Sequence, residues 1–416
     1  MSAVPALTDF DDASSYSQLL TDELMFGDAI DPYPKLREIA ARGPVQEAEF
    51  RTLMGLSQDM TLGHERVFIA FGSDEIREVL MNVDVYSNDH YKGNLGLTFG
   101  NTLSAMNPPE HPRYRRIFQK AFLPNVVAGW SEEFVDPVIN GLIDRFIDRG
   151  SADLMTEFAF PYPFEIIYRQ LRLPPGEERL FHKIAIAQTG YMVDLPHAQE
   201  AGRKLGEYFV AMIQERRKSP GTDLVSILAT VEDQGERLPD DVVISFLRQL
   251  INAAGDTTYR STGNMLVALL KERPDQFELV KRDRSLIPRA IEETLRWEGP
   301  VNLNFRTTKK DVVLGGVAIP AGAAVQTITG VHNRNPKVFP DPDRFDLMRD
   351  NTRRHMAFAA GPHICVGQYL ARLEMNRALN YLLDRLPKLR LDPAQPPPQI
   401  RGCSMRVPKH IHVRFD

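Results

Sequence analysis

Between Pro239 and Pro274 the chain carries one unbroken helical pattern, and no other stretch restricts the fold as much. Pro239 precedes its start and Pro274 forbids its continuation, while Val243, Phe246, Leu247, Leu250, Ile251 and Ala254 form an apolar stripe at helical spacing. A helix over residues 240–272 is roughly 50 Å long at ~1.5 Å per residue, enough to cross the whole molecule. Shorter elements must then pack around it. A polar cluster interrupts the stripe at mid-length, Ala253-Ala254-Gly255-Asp256-Thr257-Thr258. Gly, Asp and Thr are poor residues for a helix interior, so local stability is given up there. A Thr hydroxyl can bond back to the carbonyl four residues earlier and bend the helix, leaving room for a small ligand or water.

The rest reads as mainly α with small β-sheets. Helical patterns cover residues 132–148, 177–193, 197–218 and 223–232, broken at Pro174-Pro175, Leu195-Pro196 and Ser219-Pro220-Gly221. Pro34 opens a short helix, residues 66–71 read as a strand, and Ser73 is expected to cap the helix after that strand. Gly315-Gly316 and Ile319-Pro320-Ala321-Gly322 mark hairpin turns. Residues 84–107 show no period and contain Gly93, Gly96 and Gly100, which reads as a long loop, either functional or a mobile surface segment. Residues 1–30 read as a loose lead-in, and 31–416 as a single domain.

The second constraining stretch is Phe358-Ala359-Ala360-Gly361-Pro362-His363-Ile364-Cys365-Val366-Gly367, followed by a helix from Gln368. Cys365 sits just before a helix N-terminus, where free backbone N–H groups favour an anion and are expected to lower the thiol pKa. Gly361 and Gly367 allow a tight turn and keep side chains away from a flat ligand. One cysteine cannot make a zinc site, which takes about four protein ligands. It suffices as the protein ligand of a haem iron, whose in-plane donors come from the porphyrin.

Other classes fall away on composition. Cys365 and Cys403 are the only cysteines, so no disulfide framework is implied and a reducing compartment is expected. The net charge of −5 gives no reason to expect nucleic acid as a partner. No run of 18 apolar residues exists and the N-terminus lacks signal-peptide features, so no membrane is expected and the chain reads as cytoplasmic.

The cysteine loop resembles the haem-binding signature of the cytochrome P450 superfamily, F-x-x-G-x-H/R-x-C-x-G, with Ala359 where Gly is commoner. Further stretches resemble that family in its order. Pro108-Pro109-Glu110-His111 with Arg115 resembles P-P-x-H-x-x-x-R. The mid-helix cluster resembles A-G-x-D/E-T-T, with Ala254 in place of Gly. Glu293 and Arg296 match E-x-x-R, and Phe339-Pro340-Asp341-Pro342-Asp343-Arg344-Phe345 resembles the segment that gives that pair its third member, Arg344. The resemblance is to the soluble bacterial type. It implies the cytochrome P450 fold, a single triangular-prism-like domain, holding haem b through Cys365 with Phe358, Gly361 and Gly367 shaping the loop. His111, Arg115, Arg306 and His363 are implied propionate contacts, with His355 a weaker candidate. Glu293, Arg296 and Arg344 are implied structural residues.

The activity that this resemblance implies is that of a monooxygenase. One oxygen atom of O2 enters a small, mainly apolar organic substrate, and Thr257 and Asp256 manage the protons. Leu97, Ala253, Val301 and Leu303 are the implied pocket residues, with Asn302 or Asn304 as a polar anchor. Electrons would come from a separate ferredoxin-type iron–sulfur protein or a flavoprotein, with an NAD(P)H-dependent reductase. Arg113, Arg116, Lys120 and Arg372 are basic candidates for the docking footprint of that partner. A monomer is expected. Alternatives on the same fold are a haem-thiolate peroxygenase or isomerase, and a non-catalytic haem gas sensor.

Overall fold

The computed structural model describes residues 22–23, 25–56, 63–174, 176–192, 194–233 and 235–416. The expected lead-in therefore lies largely outside the described residues. Its described part packs onto the body: Met25 is buried, and the Cys403 N–H donates to the Phe26 carbonyl at 2.7 Å.

In chain order, the elements that position the site begin with strands β1 (Val45–Glu47) and β2 (Val67–Ala70) and helix α1 (Ser73–Met81). Strand β3 (Tyr86–Ser87), helix α2 (Glu110–Lys120), strand β4 (Ser151–Asp153) and helices α3 (Pro161–Gln170) and α4 (Leu195–Lys218) come next. After them are α5 (Asp240–Val267), α6 (Ile287–Trp297), β5 (Leu303–Thr308), β6 (Ala324–Ile328), α7 (Gln368–Arg385), β7 (Arg390–Leu391) and β8 (His412–Arg414).

Helix α5 runs without a break through its polar cluster and continues as a π-helical turn, Ala268–Glu272, before Pro274. Asp240 and Asp241 in its first turn oppose the positive end of its dipole. It is buried along most of its length, and α3, α4, α6 and α7 all pack on it. Gly255 is forced by that packing: a Cβ there would lie 2.5 Å from the Phe164 ring on α3.

A five-stranded sheet in the order β1-β2-β6-β5-β3 flanks this helical body, with β6 parallel to β2 and the other pairs antiparallel. Alternation along β5 sends Leu303 and Phe305 into a core with Tyr33, Leu36, Phe50 and Ile328. Arg306 lies on the opposite face, paired with Val325, whose neighbours include Val79, Leu80, Ala359 and Ala360. A second sheet, β7-β8-β4, fastens the C-terminal strand to the middle of the chain.

Two local expectations are corrected. Ser73 does not cap α1; Gly72 stands at the cap position, and the Ser73 hydroxyl accepts from Asn335 at 2.9 Å. The stretch 84–107 is no open loop: it contains β3, a 3-10 turn Asp89–Gly93 and a helical turn Gly96–Phe99, with Phe99, Ala105 and Met106 buried.

Candidate functional site

The cysteine loop runs from the sheet region into α7. The Cys365 N–H donates to the Phe358 carbonyl at 3.0 Å, closing the loop on itself. Gly361 has φ +75°, and a Cβ there would meet the Leu80 carbonyl oxygen at 2.6 Å, so only glycine lets the loop rest against α1. Ala359 has φ +60°, the left-handed region that glycine adopts freely. Its replacement of the family's commoner Gly is thus more than one small residue for another. Gly367 has an ordinary φ, and an added Cβ would only touch the Cys365 sulfur at 4.0 Å. The Phe358 ring is covered by the Arg372 guanidinium at 4.5 Å.

The expected acidic thiol is corrected. Cys365 is open at its immediate surface, yet protein surrounds it closely enough that burial pushes its pKa up. The Gly367 N–H and the Arg115 and Arg372 guanidinia pull it back without reversing the direction. Desolvation of the charged form outweighs the helix end, so a thiolate here depends on a bound cation. A coordinated iron would supply it, since a metal ion stabilises the thiolate of a ligating cysteine.

Four side chains from three separate segments converge beside the loop. The His111 ring on α2 stacks on the His363 ring at 3.7 Å, and Asn88 contacts His363 Nδ1 at 3.1 Å. Burial holds His363 down at about 2 and His111 down at about 4, with the charges of Arg115 and Arg306 adding to it. Both rings are neutral at neutral pH, so the cluster's positive charge rests on the two guanidinia. Arg306 is 3% exposed, and its one side-chain hydrogen bond to a carbonyl is to Phe305, at 2.7 Å. No carboxylate pairs with it among the described residues; its Nε and the His111 Nε2 are buried without partners. A desolvated guanidinium with no counter-charge is costly to maintain. Arg306 is such a cation, and the half-buried Arg115, its Nε on Gln119 at 3.2 Å, adds a second charge. With the two neutral imidazoles they suit a ligand bearing two carboxylates, as haem b does with its propionates. The donor set fits that cofactor.

On α5 the Thr257 Oγ1 donates to the Ala253 carbonyl at 2.8 Å, the back-bond expected from its spacing. Asp256 is no free carboxylate. It takes two hydrogen bonds from Arg260 one turn on, at 2.9 and 3.0 Å, and the fully buried Arg260 also bonds Asp22 at 2.6 Å. The i,i+4 spacing of Asp256 and Arg260 was a readable signal; Asp22 was not.

Glu293 and Arg296 on α6 form a bidentate pair at 2.8 Å, both fully buried. Their third partner is corrected from Arg344 to Arg349. Arg349 Nε donates to Glu293 Oε1 at 3.1 Å, whereas the Arg344 side chain is exposed and only its carbonyl takes part, accepting from Arg296 at 3.1 Å. Arg344 lies in the turn closed by its N–H on the Asp341 carbonyl at 3.3 Å, and its side chain is exposed. Five residues later Arg349 points back onto Glu293.

The remaining predicted residues scatter. Leu97 is 43% exposed, Ala253 is exposed, and Val301 bridges Met405. Leu303 is buried on the β5 face opposite Arg306, because strand side chains alternate; Asn304, two residues before Arg306, shares that arginine's face. Asn302 is committed to the core, its N–H on the Ser404 carbonyl at 2.8 Å. His355 pairs with Glu292 at 3.2 Å, as does Arg372, so neither is available to a propionate or a partner. Arg113 and Arg116 both pair with Asp233. Cys403 is buried against Gly27, a structural position. A cleft of about 450 Å³ lies between α2 and Pro362, lined by His111, Arg115, Arg116 and Lys120.

A helical body built on one long helix, with a lone sulfur in a tight loop and two guanidinia awaiting carboxylates, defines a haem-thiolate protein. The model of the family described as "Cytochrome P450" matches residues 193–415. The chain is 35% identical to cytochrome P450 107B1 of Saccharopolyspora erythraea, over 93% of this chain and 92% of that one. It is 33% identical to the cytochrome P450 monooxygenase PikC of Streptomyces venezuelae, over 90% of each. It superposes on CYP109E1 of Bacillus megaterium in complex with testosterone with a TM-score of 0.81, at 28% identity, over 93% of this chain and 99% of that one. The chain belongs to the cytochrome P450 family. It is a monooxygenase with haem b as its cofactor, and it works with O2, an organic substrate and a redox partner. No helix among the described residues is long and apolar enough to cross a membrane.

Proposed function

We propose that this enzyme hydroxylates, or otherwise oxygenates, a small and mainly apolar organic substrate, with electrons from a separate ferredoxin-type iron–sulfur protein or flavoprotein and its NAD(P)H-dependent reductase. Haem bound through Cys365 supplies the iron at which O2 is activated. Arg115 and Arg306 neutralise its two propionates, while the neutral His111 and His363 act as hydrogen-bond donors to them. Phe358, Gly361 and Gly367 shape the loop around the sulfur. Glu293, Arg296 and Arg349 brace the chain that leads into it.

The observation that carries the reading is the Thr257 hydroxyl, bonded back to Ala253 in the middle of a buried helix. There it can hold a water and hand on protons, and Asp256 exchanges Arg260 for solvent to resupply them. Ala253 and Leu97, both open at their surfaces, are the pocket residues this reading retains. The testosterone complex of CYP109E1 supports an apolar ligand on this fold. Of the basic residues lining the cleft beside α2, Lys120 is the one this reading leaves to an acidic partner.

The test is turnover. Purified holoprotein, a ferredoxin and its reductase should consume NAD(P)H in a substrate-dependent way and yield oxygenated product. The reduced carbon monoxide complex should show the red-shifted thiolate band, and Cys365→Ala should lose it. Equal turnover with peroxide alone would move the assignment to a peroxygenase. Absence of the thiolate band in the native protein would remove Cys365 as the ligand.

A further inference from the structure

Far along the chain from the cysteine loop, the small sheet β7-β8-β4 gathers a second set of metal-ligating side chains. Strand β8 lies antiparallel to β4 with His412 directly opposite Asp153. His410 precedes His412 by two residues, so extended backbone puts both imidazoles on one side of the chain. Their rings lie parallel at 5.4 Å. One ligand atom from each of Asp153, His410 and His412 falls within 4.8 Å of the other two.

We propose that Asp153, His410 and His412 form a binding site for a borderline divalent transition ion such as Zn2+. Two imidazoles and one carboxylate are the donor set such ions prefer, and Mg2+ and Ca2+ do not. The carboxylate is held in advance. Asp153 Oδ1 accepts from the N–H groups of Met155 at 3.1 Å and Ile411 at 2.9 Å, and Oδ2 accepts from the Thr156 hydroxyl at 3.0 Å. His410 Nδ1 lies 2.7 Å from the same Oδ2. An ion pair alone would explain His410. It leaves His412 unexplained, since that ring has no hydrogen-bond partner among the described residues and lies against another imidazole. A cation between the two rings and the carboxylate gives both imidazoles a role. It takes the place of the direct His410–Asp153 contact, and water fills its remaining positions.

The ion would tie the C-terminal strand to residue 153 in the middle of the chain. Because it binds the folded sheet and not the unfolded chain, it should raise the melting temperature. The test uses the untagged holoprotein, titrated with ZnCl2 by isothermal calorimetry and melted with and without it. We expect one-to-one binding, a Zn2+-dependent rise in Tm, and no comparable response to MgCl2. Both histidines are partly or fully exposed, so the His410→Ala/His412→Ala variant should fold normally by circular dichroism. It should lose affinity by about tenfold or more, together with the Tm response. Lack of one-to-one binding in the native protein, or undiminished affinity in the variant, would overturn the site.

Discussion

The sharpest test of the fold's bracing concerns the two arginines that compete for one role, Arg344 and Arg349. Arg349→Met removes one charge-assisted bond to the buried Glu293, at 3.1 Å, and the bonds to the Asp341 and Arg344 carbonyls, both at 3.0 Å. It also removes a bond to the Pro340 carbonyl. Glu293 is not stranded, because Arg296 still holds it bidentately and the Asp346 N–H still donates at 2.8 Å. The full ~3–5 kcal/mol cost of breaking a buried pair from one side therefore does not apply. Hydrogen bonds to charged groups each contribute roughly 1.5–3 kcal/mol, and the freed carbonyls recover part of theirs from water, leaving a net cost of about 3 kcal/mol. Arg344→Met removes an exposed side chain and leaves the carbonyl that Arg296 uses, so it should stay within ~0.5 kcal/mol of the parent. Urea unfolding of both holoproteins, followed by far-ultraviolet circular dichroism and visible absorbance, gives the comparison, provided the two signals coincide and the slope is unchanged. Equal costs for the two variants, or an unaffected Arg349→Met, would refute the assignment.

Three further outcomes are expected. Ala359→Gly should stabilise the protein: an L-residue at φ +60° costs roughly 1–2 kcal/mol and glycine's greater unfolded freedom returns ~0.5–1 of it, for a net gain of up to about 1.5 kcal/mol in the same unfolding assay. Burial raises the Glu292 pKa, but hydrogen bonds from His355 and Arg372 outweigh it and hold the group at about 2. A depressed carboxyl stabilises the fold above its unfolded pKa near 4.5, and that contribution, about 3 kcal/mol, is lost as pH falls from there toward 2; Glu292→Gln should flatten this part of the acid-unfolding profile. Thr257→Ala should retain haem and its thiolate band while diverting electrons from NAD(P)H into hydrogen peroxide. Full coupling in that variant would remove Thr257 from proton delivery.

Much of the site was readable because its signals are local. The helix between Pro239 and Pro274 comes from period and from proline chemistry, and neither needs a neighbour to act. Thr257 bonds back to Ala253 because residues four apart face one another on any helix. The pairing of Glu293 with Arg296 has the same origin. Where local signals mislead, the deciding contact comes from elsewhere in the chain. Ser73 is a good cap by type, yet Asn335 claims its hydroxyl. Arg344 sits where the family pattern puts an arginine, but its side chain is exposed and Arg349 reaches Glu293 instead. Leu303, expected to face the pocket, alternates with Arg306 along β5 and so packs on the other side of the sheet.

The sequence alone therefore determined the central helix, the cysteine loop and the order of motifs that identifies the family, since each is written in residues close together. Tertiary structure decided the state of the charges. Burial raises the Cys365 thiol against the helix end beside it, and it makes neutral donors of His111 and His363. It also ties Asp256 to Arg260 and Asp22, and leaves Arg306 without a protein counter-charge. Desolvation and charge pairing depend on what surrounds a group in space, and linear spacing carries no record of that.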